Sequence, residues 1–414
     1  MTATKTLKIT ETEPVPIVKD FSTFADYIKE NNPFLTRKNY FLTRKTLYRI
    51  DQLLSNPIPE NRLQTSEFFY PHLNLFYHLA LRGNLFVRTP KLRLQKTERL
   101  NLYEQLTSTE KYFFLLETFW VDVDLGGLLG QPSLPYLILE AQTILDYLAR
   151  MPPEEVISLG DSEDLWEFLK ISSYLQYLSF FGLCQVTFID QDNTKKRKHS
   201  FVDSVTVTDL GGTLLPILQY ERDLEEWNIP YIQRETEKLV IFPGLTEDQN
   251  EEEYEPFFKP FQELFKGELQ RTLPRGKEHH EGTFILKVSL RDCWRTIVVS
   301  SEHSLEDFHE AIQDAFDFDR DHLYAFFMDG EPWSHNCIYA PECDKGPSAA
   351  RISIGDLGLH ADQQFLYVFD FGDQWQFKVE VLEIISEPGP PSPVVTEKKG
   401  KSPEQYHYPD DCEH

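Results

Sequence analysis

No window of membrane-span length in these 414 residues is free of charge; even "LLGQPSLPYLILEAQTILDYLA" contains Glu140 and Asp146. A bilayer span needs about 20 predominantly apolar residues, so no transmembrane helix is expected. The opening "MTATKTLKITETEP" has no apolar core of the signal-peptide kind. Cysteine is scarce: five residues, an odd number in a long chain, point to reduced thiols and a cytoplasmic setting. Catalytic signatures are missing too. There is no phosphate-loop or dinucleotide fingerprint, and spacing alone assembles no Ser-His-Asp or Cys-His nucleophile set. No cofactor is expected.

What is present suffices for a folded protein. Hydrophobic residues make up 41% and aromatics 14%, enough to bury a sizeable core and to exclude wholesale disorder. The length fits two or three domains. The net charge of -26 is unevenly placed: residues 1–100 carry 16 basic against 9 acidic side chains (+7), residues 101–245 carry 10 against 23 (-13), and the remainder 15 against 35 (-20). The acidic C-terminal part would repel phosphates, so any nucleic-acid contact is expected in the first hundred residues.

Residues 1–20 read as a disordered lead. "FSTFADYIKENNPFLTRKNYFLTRKTLYRIDQLL" then reads as two short helices with a turn at Asn31-Asn32-Pro33. The segment "FLTRK" occurs twice, from Phe34 and from Phe41, too short a duplication to count as a repeat. Two longer stretches share one pattern. "FYHLALRGNLFVRTPKLRLQKTERL" begins at Phe76, and "YLQYLSFFGLCQVTFIDQDNTKKRKHSFVDSVTVTDLGGTLL" begins at Tyr174. Each is an apolar helix ending near a glycine, Gly83 or Gly182. A strand, a polar turn and a second strand follow, then a threonine and an acid, Thr97-Glu98 or Thr208-Asp209. Such a threonine can cap the next helix, and the acid suits its positive end. Between them "LTSTEKYFFLLETFW" is a helix that Ser108 or Thr109 can cap.

Helix, hairpin wing, helix resembles the winged helix-turn-helix family, the second copy more closely than the first. The resemblance implies a fold often used on DNA, with the helix before the glycine in the major groove and the wing on the backbone. Tandem winged helices also serve as protein-interaction blocks. If DNA is bound, the candidate contacts are Arg37, Lys38, Arg44 and Lys45, then Arg82, Arg88, Lys91 and Arg93 around the first wing, and Lys195, Lys196, Arg197 and Lys198 on the second. The plain alternative for that last run is a solvated hairpin tip.

"PGLTEDQNEEEYEPFFKP" reads as an acidic linker, and "PFFKPFQELFKGELQRTL" as a connecting helix. From Phe284 strands take over: "TFILKVSLRD" and "WRTIVVSS" pair, and "HSLEDFHEAIQDAFDF" is a helix capped by Ser304, with Asp307 closing a capping box. Leu305, Phe308, His309, Ile312 and Phe316 share its apolar face. "HLYAFFMDG" is a strand, and "QQFLYVFDFGDQWQFKVEVLEI" a hairpin whose turn is Asp370 to Asp373, with Gly372 supplying backbone freedom and Trp375 opening the return strand. These motifs in this order resemble the plasmid pRiA-type ORF-three-like family, a bacterial domain first named from a root-inducing plasmid. The resemblance covers about 282–387, with a familiar tail ending "KKGKSPEQY". It implies a small α+β domain, β-grasp-like, with mobile-element association and no established activity.

The expected fold class is α+β: winged-helix-like units at 21–125 and 126–245, an acidic linker at 246–281, the α+β domain at 282–387 and a proline-rich tail at 388–414. The order Asp370-Phe371-Gly372 matches the kinase metal triplet but lacks the phosphate loop and catalytic-loop signature that would go with it. Two other readings of possible sites stay open. A metal-dependent hydrolase or nuclease would gather His309, His322, Asp370 and Asp373; the plain alternative is a hydrogen-bonded core histidine and carboxylates that cap turn amides. A tetrahedral zinc site would need Cys337, Cys343, Cys412 and His414, with His335 nearby, at a spacing wider than structural sites usually show. The leading expectation is a non-enzymatic binding or adaptor protein with an unknown protein partner, DNA as a possible ligand of the N-terminal half, and no membrane association.

Overall fold

A computed structural model describes residues 7–405 apart from 38–39, 90, 131–135, 159–171, 189–201, 237–242, 244–253, 275–280, 331, 335, 344–346, 360 and 362. The chain is α+β and divides into two compact units. The first runs to Arg275 without residues 88–91 and 236–241; the second comprises those short stretches and Gly276–His414.

In the first unit α1 (Ile17–Asn31) buries Ile17, Val18, Phe21, Phe24, Ala25 and Ile28, one stripe at helical spacing. Asn32 ends it in the left-handed region, φ 42°, just ahead of Pro33. Ile9 is also buried, so the stretch expected as a lead touches the core at residue 9 and again from Ile17. The two "FLTRK" copies meet at an isolated antiparallel bridge, Leu35 to Leu42, before α2 (Arg44–Asp51) starts behind its Thr43 cap.

The first helix–hairpin–helix is α3 (Pro71–Arg82), β1 (Phe86–Thr89), β2 (Arg93–Lys96) and α4 (Glu98–Glu104). Further on come α5 (Ser108–Glu117), α6 (Leu125–Leu129), α7 (Tyr136–Arg150) and β3 (Val156–Ser158). The second set is α8 (Ser172–Phe180), β4 (Cys184–Phe188), β5 (Val202–Val207) and α9 (Asp209–Tyr220), with β3 added so that the sheet order is β3-β5-β4; the short α10 (Leu224–Trp227) and α11 (Ile229–Thr236) follow. The two threonines differ. Thr208 caps α9, its hydroxyl accepting from Gly211 N at 2.9 Å, whereas Thr97 makes no cap bond and donates instead to Asn84 O at 2.6 Å. The α5 cap is Thr107, in a box with Glu110, one residue earlier than expected, because Glu110 then falls at the position that can bond back to the cap amide.

Both sets contribute to one core, and Asn74 of α3 donates to Tyr177 Oη of α8 at 2.9 Å. Residues 254–274, expected within the linker and partly as a connecting helix, pack there as turns around one 3-10 turn (Lys259–Phe261) rather than as a helix: Phe257, Phe261, Phe265, Leu269 and Leu273 are buried. Acidity marks only the start of that segment; its aromatics seek the core. Arg222, itself buried, donates to Phe257 O (3.1 Å) and Pro256 O (3.2 Å), pairs with Glu255 (2.7 Å) and lies over the Trp227 ring.

The second unit is a seven-stranded sheet of β6 (Thr283–Leu290), β7 (Cys293–Ser300), β8 (Tyr324–Phe327), β9 (Cys337–Tyr339), β10 (Gln364–Phe369), β11 (Trp375–Ile385) and β12 (Val394–Lys399). Their order is β12-β7-β6-β11-β10-β8-β9 and each pairing is antiparallel. One helix, α12 (Leu305–Phe316), covers one face. Its Ser304–Asp307 capping box is formed, and Leu305, Phe308, His309, Ile312 and Phe316 are buried. The proline-rich tail supplies β12. Arg295 of β7 ties it down by donating to Lys399 O (3.1 Å), Ser402 Oγ (2.8 Å) and Ala315 O (2.8 Å) at the end of α12.

Candidate functional site

A cluster of titratable groups lies where α12 crosses β8 and β10. The face period of α12 brings His309 and Gln313, four residues apart, onto Tyr367 of β10. His309 Nδ1 lies 2.6 Å from Tyr367 Oη, and Gln313 Nε2 donates to the same hydroxyl at 2.6 Å. With Gln313 donating, the phenol donates to Nδ1, which leaves the imidazole proton on Nε2. The ring stacks on Tyr324 with centroids 3.7 Å apart and planes 8° off parallel. Burial, reinforced by the Arg320 guanidinium, pushes the His309 pKa down from 6.5 to about 3. Burial raises both phenols, Tyr324 further through Glu306, Glu342 and Glu310. The cluster therefore holds a neutral imidazole between two un-ionised phenols.

His322 and Asp370 lie at the sheet end. His322 Nε2 is 3.5 Å from Asp370 Oδ2. Asp370 Oδ1 accepts from the backbone N–H of Gly372 (2.9 Å) and Asp373 (3.3 Å), so this carboxylate closes the turn. The left-handed positions are Asp370 (φ 56°) and Gln374 (φ 53°), not Gly372. An aspartate tolerates that region because its side chain bonds locally, which removes the expected need for a glycine. The loop holds five residues, since Phe369 pairs with Trp375.

Of the four residues considered for metal chemistry, His322 and Asp370 meet, His309 is committed to Tyr367, and Asp373 is exposed. Among the described residues no three His, Cys, Asp or Glu side chains are grouped to hold a metal. Cys337 sits buried in β9, its thiol pushed up to about 11 by burial, and Cys343 is half-buried. His335, Cys412 and His414 lie outside the described residues, as do Lys38 and Lys195 to Lys198.

The remaining basic candidates are spread over several elements. Arg37, Arg44, Lys45 and Lys91 are exposed; Arg82, Arg88 and Arg93 are half-buried. Arg93 places its guanidinium carbon 3.7 Å over the Phe34 ring. None of the twelve residues of α3 is exposed. A helix that reads a major groove must present side chains to it, and those of α3 that are not buried are half-buried. Arg295 and Arg222 were not singled out from the sequence; the only available signal was a lone arginine within an apolar strand or beside a helix end.

Residues 283–413 match the model of the plasmid pRiA4b ORF-3-like protein family. The uncharacterised protein y4hQ of Sinorhizobium fredii is 29% identical over 114 residues, 26% of this chain and 56% of the relative. The chain thus spans little more than half the length of that relative. A crystal structure of a protein of unknown function from Methanosarcina mazei Go1 is similar at 29% identity, covering 30% of this chain and 73% of that one, with a TM-score of 0.26. The family match reaches well past β11 and includes the tail that Arg295 holds. No helix among the described residues is long and apolar enough to cross a membrane.

Proposed function

We propose that the chain is a non-enzymatic binding or adaptor protein of the cytoplasm. Its winged-helix-like units form one scaffold, and its β-grasp-like C-terminal domain serves a protein partner. The observation that carries this reading is how the reactive side chains are used. His309 is held neutral between phenols, and Asp370 is spent on turn amides. In the first unit α3, half of whose residues are buried, favours a scaffold role, leaving nucleic-acid contact to exposed basic residues outside the helix. The test pairs affinity capture on the full chain with a hydrolase and nuclease screen, with and without added divalent metal. A stoichiometric partner and no turnover are expected. Metal-dependent turnover that His322→Ala and Asp370→Ala both abolish would replace this reading with the hydrolase.

A further inference from the structure

We infer that the first unit carries a stacking platform for an unpaired nucleotide strand, built on Phe34 and Arg93. The inference rests on the binding reading above and adds a ligand class and a site to it.

Phe34 is 58% exposed. It is nevertheless held in place. Leu35 N donates to Leu92 O at 2.7 Å, which joins this segment to the start of β2, and the Leu35–Leu42 bridge sets Phe34 beside Thr43, the cap of α2. Arg93 extends across one face of the ring, and its guanidinium also donates to Asn32 O. The result is a guanidinium over an aromatic ring, with backbone bonds on both sides.

Basic residues stand close by along the chain. Arg37 is exposed three residues along, and Arg44 and Lys45 are exposed at the start of α2. The positive end of a helix disfavours cations there, so helix stability does not account for their position. Residues 1–100 carry +7 in a chain of -26. An exposed aromatic–guanidinium pair with basic residues close by in sequence suits single strands, whose free bases stack on any π-face. A duplex keeps its bases stacked inside, out of reach of an exposed ring. The ligand is therefore a single strand, DNA or RNA.

The test measures anisotropy of labelled twenty-nucleotide oligo-dT, oligo-U and a mixed-sequence duplex with the full chain across a salt series. Single strands should bind more tightly than the duplex, and the tighter of the two names the sugar. Phe34→Ala, a change at the surface, should weaken single-strand binding about 5- to 100-fold and leave duplex binding unchanged. Arg37→Gln should lower the salt slope by about 0.7 for a lost phosphate contact. No retention of either single strand at low salt would overturn the inference, as would equal binding by Phe34→Ala or a duplex held as tightly. Partner capture by the full chain would still stand in those cases, so the two proposals fail separately.

Discussion

His309 enters the core as a neutral imidazole because two tyrosines and a glutamine accommodate it there, with Phe369 close by. Tyr367→Phe removes the shared hydroxyl and leaves His309 Nδ1 and Gln313 Nε2 unpaired in a dry site. An unmet buried polar group costs about 1–3 kcal/mol, so denaturant unfolding should show a loss of that size with an unchanged slope. The pH dependence has a definite sign. Folding lowers the imidazole pKa from 6.5 to about 3, so its contribution is fully present above pH 6.5 and is lost as pH falls towards 3. A His309→Gln variant should lose less stability than the parent over that interval. Parallel curves would mean that the imidazole protonates equally easily in both states.

Two elements depend on local chemistry of different legibility. The β10–β11 hairpin was readable from its apolar alternation and from Asp370-Phe371-Gly372-Asp373, yet the residue that carries the turn was not. A glycine is the usual signature of a left-handed position, but here Asp370 occupies one and caps two amides. Gly372→Ala should accordingly cost little, its added carbon meeting only Asp370 Oδ1 at 3.2 Å. Asp370→Val should cost about 2 kcal/mol or more, through a β-branched residue in the left-handed region and two lost cap bonds; equal melting temperatures for the two variants would refute this. The capping box of α12 was legible because it is a four-residue code. Strand β12 was not, because its partner β7 and the Arg295 that anchors its end lie about a hundred residues away in sequence. The buried guanidinium holds tail carbonyls and the end of α12 at once, and Arg295→Ala leaves those acceptors without it. Faster hydrogen exchange confined to residues 394–402 and the last turn of α12 is expected, and protection unchanged there would show that the tail docks without the arginine.

At the scale of the whole molecule, composition misplaces the end of the first unit. The acidic run suggested a linker to residue 281, but charge at the head of a segment says nothing about the aromatics behind it. Phe257, Phe261, Phe265, Leu269 and Leu273 are buried in the same core as α1, α5 and α9. Burying each is worth about 1.5–3 kcal/mol, so the segment contributes on the order of 10 kcal/mol, comparable with the whole net stability of a domain at about 5–15 kcal/mol. A fragment of residues 1–275 should therefore unfold cooperatively, and a fragment of residues 1–245 should not. The shorter one should bind a hydrophobic dye and show a broad, shallow thermal transition, because the surface vacated around Phe113 is left to water. Residues 276–414 should unfold cooperatively alone, since their sheet and α12 enclose a separate core. Calorimetry on the three fragments decides the matter. A sharp transition for residues 1–245, at the same temperature as for residues 1–275, would return residues 254–274 to the role of a tether.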